Sequence, residues 1–132
     1  MSELPSTDDA RRDAGMATRR QVLGDEWVDR AVAGTTPFTA DFQDFITRVA
    51  WGDIWQRPGL ARRDRSLMTL SITIALRHWD EFALHVRAAV NNGLTDAEIA
   101  ECIQHAAVYA GVPAANHAFK VAGPILAELR GS

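Results

Sequence analysis

The chain is short of thiols, of positive charge and of long apolar runs, and each shortage removes a class of protein. Cys102 is its one cysteine. No internal disulfide and no CxxC redox or zinc pair can therefore form, and reduced, cytoplasmic residence is expected. Lys and Arg number 14 against 17 Asp and Glu, a formal net charge of −3, whereas a nucleic-acid surface needs a basic stripe. The most apolar stretch, LMTLSITIAL at 67–76, is about half the ~20 residues that a bilayer-crossing helix needs. The opening, MSELPSTDDARRDAG, is charged where a secretory signal would be apolar. The expected partners thus include neither nucleic acid nor membrane. What is present is 132 residues, 47% hydrophobic and 23% charged, enough for one domain that buries roughly two-thirds of its surface without staples.

Patterning along the chain is helical throughout. Residues 1–10 read as a mobile N-terminal arm, and 11–132 as a single domain. Residues 11–33 carry a loose helical pattern through Met16, Val22 and Leu23, ending near Gly34. Thr39 is placed to cap a helix in which Phe42, Phe45, Ile46 and Val49 recur at i, i+3, i+4 and i+7. Gly52, Pro58 and Gly59 then interrupt the chain. Asp64 is placed to cap a segment from Arg65 to about Arg77 that is apolar almost all round. Its length and the lack of a hairpin partner favour a central buried helix over a strand. A helix after Asp80 turns Phe82, Val86, Ala89 and Val90 inward and stops at Gly93, a residue suited to a left-handed C′ position. Thr95 to Glu98 spells a capping box that opens a helix through Ile103 to Gly111. A last helix follows Pro113, with Gly123-Pro124 as a potential break. The expectation is an all-α fold of about six helices with short connections.

Two constellations can carry chemistry. His78, Glu81 and His85 are spaced at three and four, which on one helix face would let them bind a metal, move a proton, or simply solvate an edge. The metal reading holds only if the helix includes His78, and neither HExxH nor paired ExxH segments are present. Glu81 and His85 stand one turn apart beside the inward stripe, where a carboxylate would favour the imidazolium and hold the ring. In WGDIWQRPGLARRDR (51–65), Trp51 and Trp55 can form an aromatic wall. Arg57, Arg62, Arg63 and Arg65 can collect a small anion or merely pair with Asp53 and Asp64. His105 and His117 read as core or interface histidines.

WGDIWQRPGL (51–60), RDRSLMTLSITIAL (63–76), HVRAAVNNGLT (85–95) and YAGVPAANHAF (109–119), in this order and spacing, resemble the carboxymuconolactone decarboxylase family of the alkylhydroperoxidase-like proteins. The resemblance covers nearly the whole chain. It implies a helical homo-oligomer, commonly a hexamer built as a trimer of dimers, and a cofactor-independent carboxy-lyase. The reaction implied is the decarboxylation of 4-carboxymuconolactone, a dicarboxylate lactone, to the β-ketoadipate enol-lactone in protocatechuate catabolism. The peroxidase branch needs CxxCxxxH, and the matching positions here are His78, Glu81 and His85. Without a thiolate attacker that chemistry fails, and Ser66 stands where that branch carries a proton-relay glutamate. The resemblance makes His85 the expected proton or hydrogen-bond donor, oriented by Glu81. Arg57 and Arg65 become carboxylate binders, and Trp51 and Trp55 a poorly hydrated wall for the leaving carboxylate. A non-catalytic or differently specific helical oligomer of the same fold, or a metal-dependent enzyme using His78, Glu81 and His85, stands as the alternative.

Overall fold

A computed structural model describes residues 4–131, and these divide between Ala61 and Arg62 into two compact units. All regular structure among the described residues is helical, as the patterning predicts. The arm expected over residues 1–10 falls partly on residues 1–3, outside the described residues.

In the first unit, α1 spans Asp8–Leu23 and starts where the Thr7 hydroxyl accepts a hydrogen bond from the Ala10 amide, with Asp8 and Asp9 facing the positive helix end. The pattern over 11–33 is two helices, not one. Gly24, at φ 91°, ends α1, and α2 restarts over Asp25–Ala33. That backbone conformation is one a side chain rarely tolerates. The helix α3 spans Ala40–Ile46 and widens into a π-helical turn over Thr47–Trp51, followed by a 3₁₀ turn, Ile54–Gln56. Thr39 does precede α3, but its hydroxyl accepts from the Thr36 amide at 3.0 Å instead of capping the helix. Its backbone is already helical (ψ −8°), and an N-cap hydroxyl reaches the next turn only from an extended one. Phe42, Phe45 and Val49 share a face as expected, yet are exposed in the chain.

The junction of α1 with the π turn is backbone against backbone. A Cβ on Gly15 would lie 2.1 Å from the Thr47 carbonyl oxygen, and one on Gly52 2.2 Å from that of Arg11. Gln56 ties the same region together, donating from its amide to the Ala14 carbonyl at 3.1 Å, the Trp51 carbonyl at 3.0 Å and the Thr18 hydroxyl.

The second unit packs α4 (Arg62–Ala75), α5 (Trp79–Asn91), α6 (Asp96–Ala110) and α7 (Val112–Leu129). Its core gathers Leu70 and Ile74 from α4, Phe82, Val86 and Ala89 from α5, Ile99 and Ile103 from α6, and the small residues Ala114, Ala115, Ala118 and Ala122 of α7. Alanines on α7 let its backbone come close to its neighbours. α4 starts three residues before the expected Arg65, so Asp64 sits in its first turn rather than capping it. The segment is not buried all round either: Met68 and Ile72 of the helix, and Leu76 just after it, are exposed in the chain. Two Schellman closures set the turns. The His78 and Arg77 amides donate to Thr73 and Ile74, and the Leu94 and Gly93 amides to Ala89 and Val90. Gly93 takes the left-handed position as expected, whereas the first turn puts Arg77 there, at φ 56°. The Thr95–Glu98 capping box forms with both of its hydrogen bonds. Pro113 lies in the first turn of α7, and the helix runs through Pro124 without a break.

Gly15→Ala should lower the unfolding free energy by about 1–3 kcal/mol or more through backbone overpacking. Gly123→Ala, in an exposed turn of α7, meets nothing within 4 Å beyond its chain neighbours. A Cβ directly before Pro124 is disfavoured in helical backbone, which offsets the ~1 kcal/mol helix preference of Ala over Gly, so the change should leave stability nearly unaltered. Urea midpoints of the two variants check both expectations, and an unaffected Gly15→Ala would remove the close approach of α1 to the π turn.

Candidate active site

Packing of α5 sets the position of His85. Phe82 and Val86 anchor the helix, and His85 lies on the flank of that stripe, carried inward with it to 7% exposure. Its Nε2 is 3.9 Å from Oε2 of Glu81, longer than a hydrogen bond, and the Glu81 side chain is 64% exposed. A carboxylate so well hydrated offsets little, whereas removing an imidazolium from water is costly. Burial therefore dominates and holds the His85 pKa down at about 4. The imidazolium expected from the Glu81 pairing is not the resting form. At neutral pH the ring is uncharged, with one N–H to donate and one nitrogen to accept.

His78 falls outside the helix. It is the N-cap residue of α5, with φ −84° and ψ 77°, so the seven-residue interval to His85 loses its helical meaning. Among the described residues no three His, Cys, Asp or Glu side chains converge as a metal-ligand set. The donors His78, Glu81 and His85 thus do not fit a metal.

In the first unit the tryptophans do form a wall, by a different route from a continued α-helix. Trp51 closes the π turn, Trp55 sits in the 3₁₀ turn, and their rings stack with centroids 5.1 Å apart and planes 30° apart. Trp51 is buried and Trp55 half-buried. Arg57 follows directly, its Nε donating to Oδ1 of Asp53 at 2.9 Å, and this guanidinium holds the Asp53 carboxyl below its usual range. Half of the Arg57 side chain remains exposed. Trp51, Trp55 and Arg57 are thus neighbours in one unit. Arg65, half-buried on α4, and the α5 pair Glu81 and His85 belong to the other. The arginine run is not one anion cluster, because Arg63 is engaged by Glu98.

His105 and His117 are exposed rather than core, lying against Tyr109 (5.1 Å) and Trp79 (4.5 Å). Cys102 is buried beside the Ser71 hydroxyl at 3.3 Å, and burial raises its thiol pKa, which keeps it protonated and inert. One residue escaped the sequence reading altogether. Arg19 is buried, while its neighbour Arg20 reaches outward to Asp25 and Asp29. Nothing in the dipeptide distinguishes the two; only the helix phase does.

The model of the Carboxymuconolactone decarboxylase family matches residues 40–123. A nitrosuccinic acid decarboxylase, npaB, of Metarhizium robertsii is 47% identical over 124 residues, covering 92% of this chain and 87% of the relative. A 4-carboxymuconolactone decarboxylase of Acinetobacter baylyi is 43% identical over 122 residues, covering 92% and 91%. A Pseudomonas putida protein of the same description is 54% identical over 43 residues, a third of this chain.

The buried imidazole makes stability depend on pH. Between its ordinary value of 6.5 and about 4, the unfolded chain binds a proton on this residue and the folded chain does not. Stability is therefore full above pH 6.5 and falls as pH drops through that window, by on the order of 3 kcal/mol. Urea midpoints from pH 7 to 4 should show this slope in the native chain and lose it in His85→Gln. An NMR titration placing the His85 midpoint near 6.5 would contradict the burial.

Proposed function

This chain belongs to the carboxymuconolactone decarboxylase family, and we propose that it is a cofactor-independent carboxy-lyase acting on 4-carboxymuconolactone in protocatechuate catabolism. The substrate is an unsaturated five-membered lactone whose saturated ring carbon bears a carboxylate and an acetate arm. When CO2 leaves, the bonding pair runs through the ring double bond into the lactone carbonyl, giving a dienolate. Protonation of the ring carbon next to that carbonyl then yields the enol-lactone. The substrate is its own electron sink, so the protein has only to bind carboxylates, stabilise the dienolate oxygen and admit a proton.

The observation that carries this reading is a neutral, buried His85 in a chain of this family. Its N–H is suited to donating a hydrogen bond to the lactone oxygen as negative charge grows there, an interaction worth about 10²–10³ in rate in a poorly hydrated site. With a pKa near 4, the resting ring is a hydrogen-bond donor rather than a stored acid. Glu81, exposed and beyond hydrogen-bond range, acts on it only weakly as a positioning residue. Arg57 and Arg65 are assigned to carboxylate binding, with the firmer hold on the acetate arm, since an arginine clamped on the departing carboxylate would stabilise its charge and slow the reaction. The Trp51–Trp55 stack is assigned to limiting hydration of the leaving group. The exposed apolar residues Phe42 and Phe45 of the first unit, and Ile72, Leu76 and Tyr109 of the second, support a homo-oligomer, since large exposed apolar side chains are often covered by a partner.

A second reading rests on the 47% identity to the nitrosuccinic acid decarboxylase. There the carboxylate would leave from the carbon bearing the nitro group, and the pair would enter that group as a nitronate. Both acids carry a second carboxylate and an internal electron sink, so the same His85 N–H would serve a nitro oxygen in place of a lactone oxygen.

Incubation of the chain with carboxymuconolactone and, separately, with nitrosuccinate, followed by NMR, discriminates the two. The expected result is the enol-lactone; CO2 from nitrosuccinate alone would favour the second reading. CO2 from neither would leave a non-catalytic or differently specific member of the fold. His85→Ala should lower kcat by about a hundredfold or more with the helical circular dichroism intact, and Glu81→Gln by about tenfold or less. A His85→Ala enzyme with native turnover would remove the residue from catalysis.

A further inference from the structure

Burying an arginine without a counterion is unfavourable, because the guanidinium does not give up its proton. Arg19 of α1 is nevertheless only 3% exposed. Its surroundings offset the charge in part. Nη2 donates to Oε1 of Gln43 at 3.2 Å, the guanidinium carbon lies 5.5 Å from the centre of the Trp27 ring, and Nε has no hydrogen-bond partner among the described residues. No described carboxylate pairs with it, whereas the arginines around it are all taken. Arg12 is held by Asp9 and Asp44, Arg48 by Asp44 at 2.7 Å, and Arg20 by Asp25 and Asp29.

Arg19 also lines a cavity of about 350 Å³ within the first unit. Met16 and Val32 give this cavity apolar wall, and Gln43 borders it with its carbonyl turned to Arg19 and its NH₂ without a partner among the described residues. Its ionic lining is Arg12, Arg19 and Asp44, two positive charges and one negative. The two arginines on Asp44 hold that carboxyl down at about 2, so it stays charged and is already matched. The uncompensated charge of the cavity is the one on Arg19.

We infer that this cavity is a binding site for a small carboxylate, with Arg19 as the cation that recognises it and Gln43 as a second donor. A single net positive charge next to Asp44 suits a monoanionic head better than a phosphate dianion. A volume at the low end of the roughly 300–1,000 Å³ of ligand pockets suits a short acid whose carbon chain lies along Met16 and Val32. None of the residues assigned to decarboxylation enters this inference, which stands whether or not that reaction does.

Butyrate is the probe, with butyramide as its uncharged counterpart. Titrated into the full-length chain, butyrate should shift the Arg19 side-chain N–H resonance saturably, and butyramide should not. Arg19→Gln, checked for native circular dichroism, should weaken butyrate binding by about tenfold or more, the size of one charge-assisted hydrogen bond. Arg19→Lys, which keeps the charge and loses the planar fork, should weaken it less. Should Arg19→Gln not fold, the Arg19 resonance of the native chain decides. No saturable shift there, or an equal shift with butyramide, would overturn the site. Kinetics on carboxymuconolactone separate two sources of the carboxylate. Competitive inhibition by butyrate with KM raised in Arg19→Lys identifies the substrate's own arm, and unchanged KM identifies a separate ligand.

Discussion

Helix α5 can bury Phe82, Val86 and Ala89 only by carrying His85 in with them, because a residue one turn from Phe82 and adjacent to Val86 shares the inward side of the helix. Most of what the second unit can do chemically follows from that one coupling. Hydration that would support an imidazolium is stripped away, and Glu81, one turn earlier, stays in water at 3.9 Å and cannot replace it. The ring rests neutral. Under the decarboxylation proposed above, a neutral imidazole in a poorly hydrated place would serve as a hydrogen-bond donor to charge growing on oxygen.

The first unit solves a different packing problem. Its helix α1 meets the π turn at Gly15 and Gly52 with no room for a Cβ on either, so the two backbones touch, and Gln56 laces the 3₁₀ turn to α1 through the Ala14 carbonyl and to the π turn through the Trp51 carbonyl. This clamp sets the phase of α1. In that phase Arg20 points to Asp25 and Asp29, and Arg19 points inward to Gln43 and Trp27. The widened winding at Thr47–Trp51 also brings Trp51 and Trp55 into a stack. The aromatic wall and the buried Arg19 guanidinium thus belong to elements joined by one close backbone contact.

Much of the fold was legible in residue order because its signals are local. Thr95 and Glu98 cap a helix wherever their spacing occurs, Gly93 accepts a left-handed turn, and Phe82, Val86 and Ala89 mark a buried face by period alone. The misreadings share a cause as well. Thr39 failed as a cap because its own ψ is helical, a value set by the turn before it. The α4 pattern, apolar nearly all round, implied complete burial, but the unit covers only the Leu70 and Ile74 side and leaves Met68, Ile72 and Leu76 exposed. Pro124 suggested a break, and the helix absorbed it.

The sequence by itself determined that the protein is helical, which stretches are helices, and, through WGDIWQRPGL and YAGVPAANHAF, the family. These depend on periodicity, capping chemistry and short motifs, all of which act within a few residues. Only the tertiary structure decided the charge state of His85, the weak hold of Glu81 on it, the engagement of Arg57 by Asp53, and the isolation of Arg19. Each of those is set by how much water and which opposite charge a group meets in space. Desolvation and ion pairing are long-range in sequence, so neighbours as alike as Arg19 and Arg20 can be given opposite fates by a single step of helix phase.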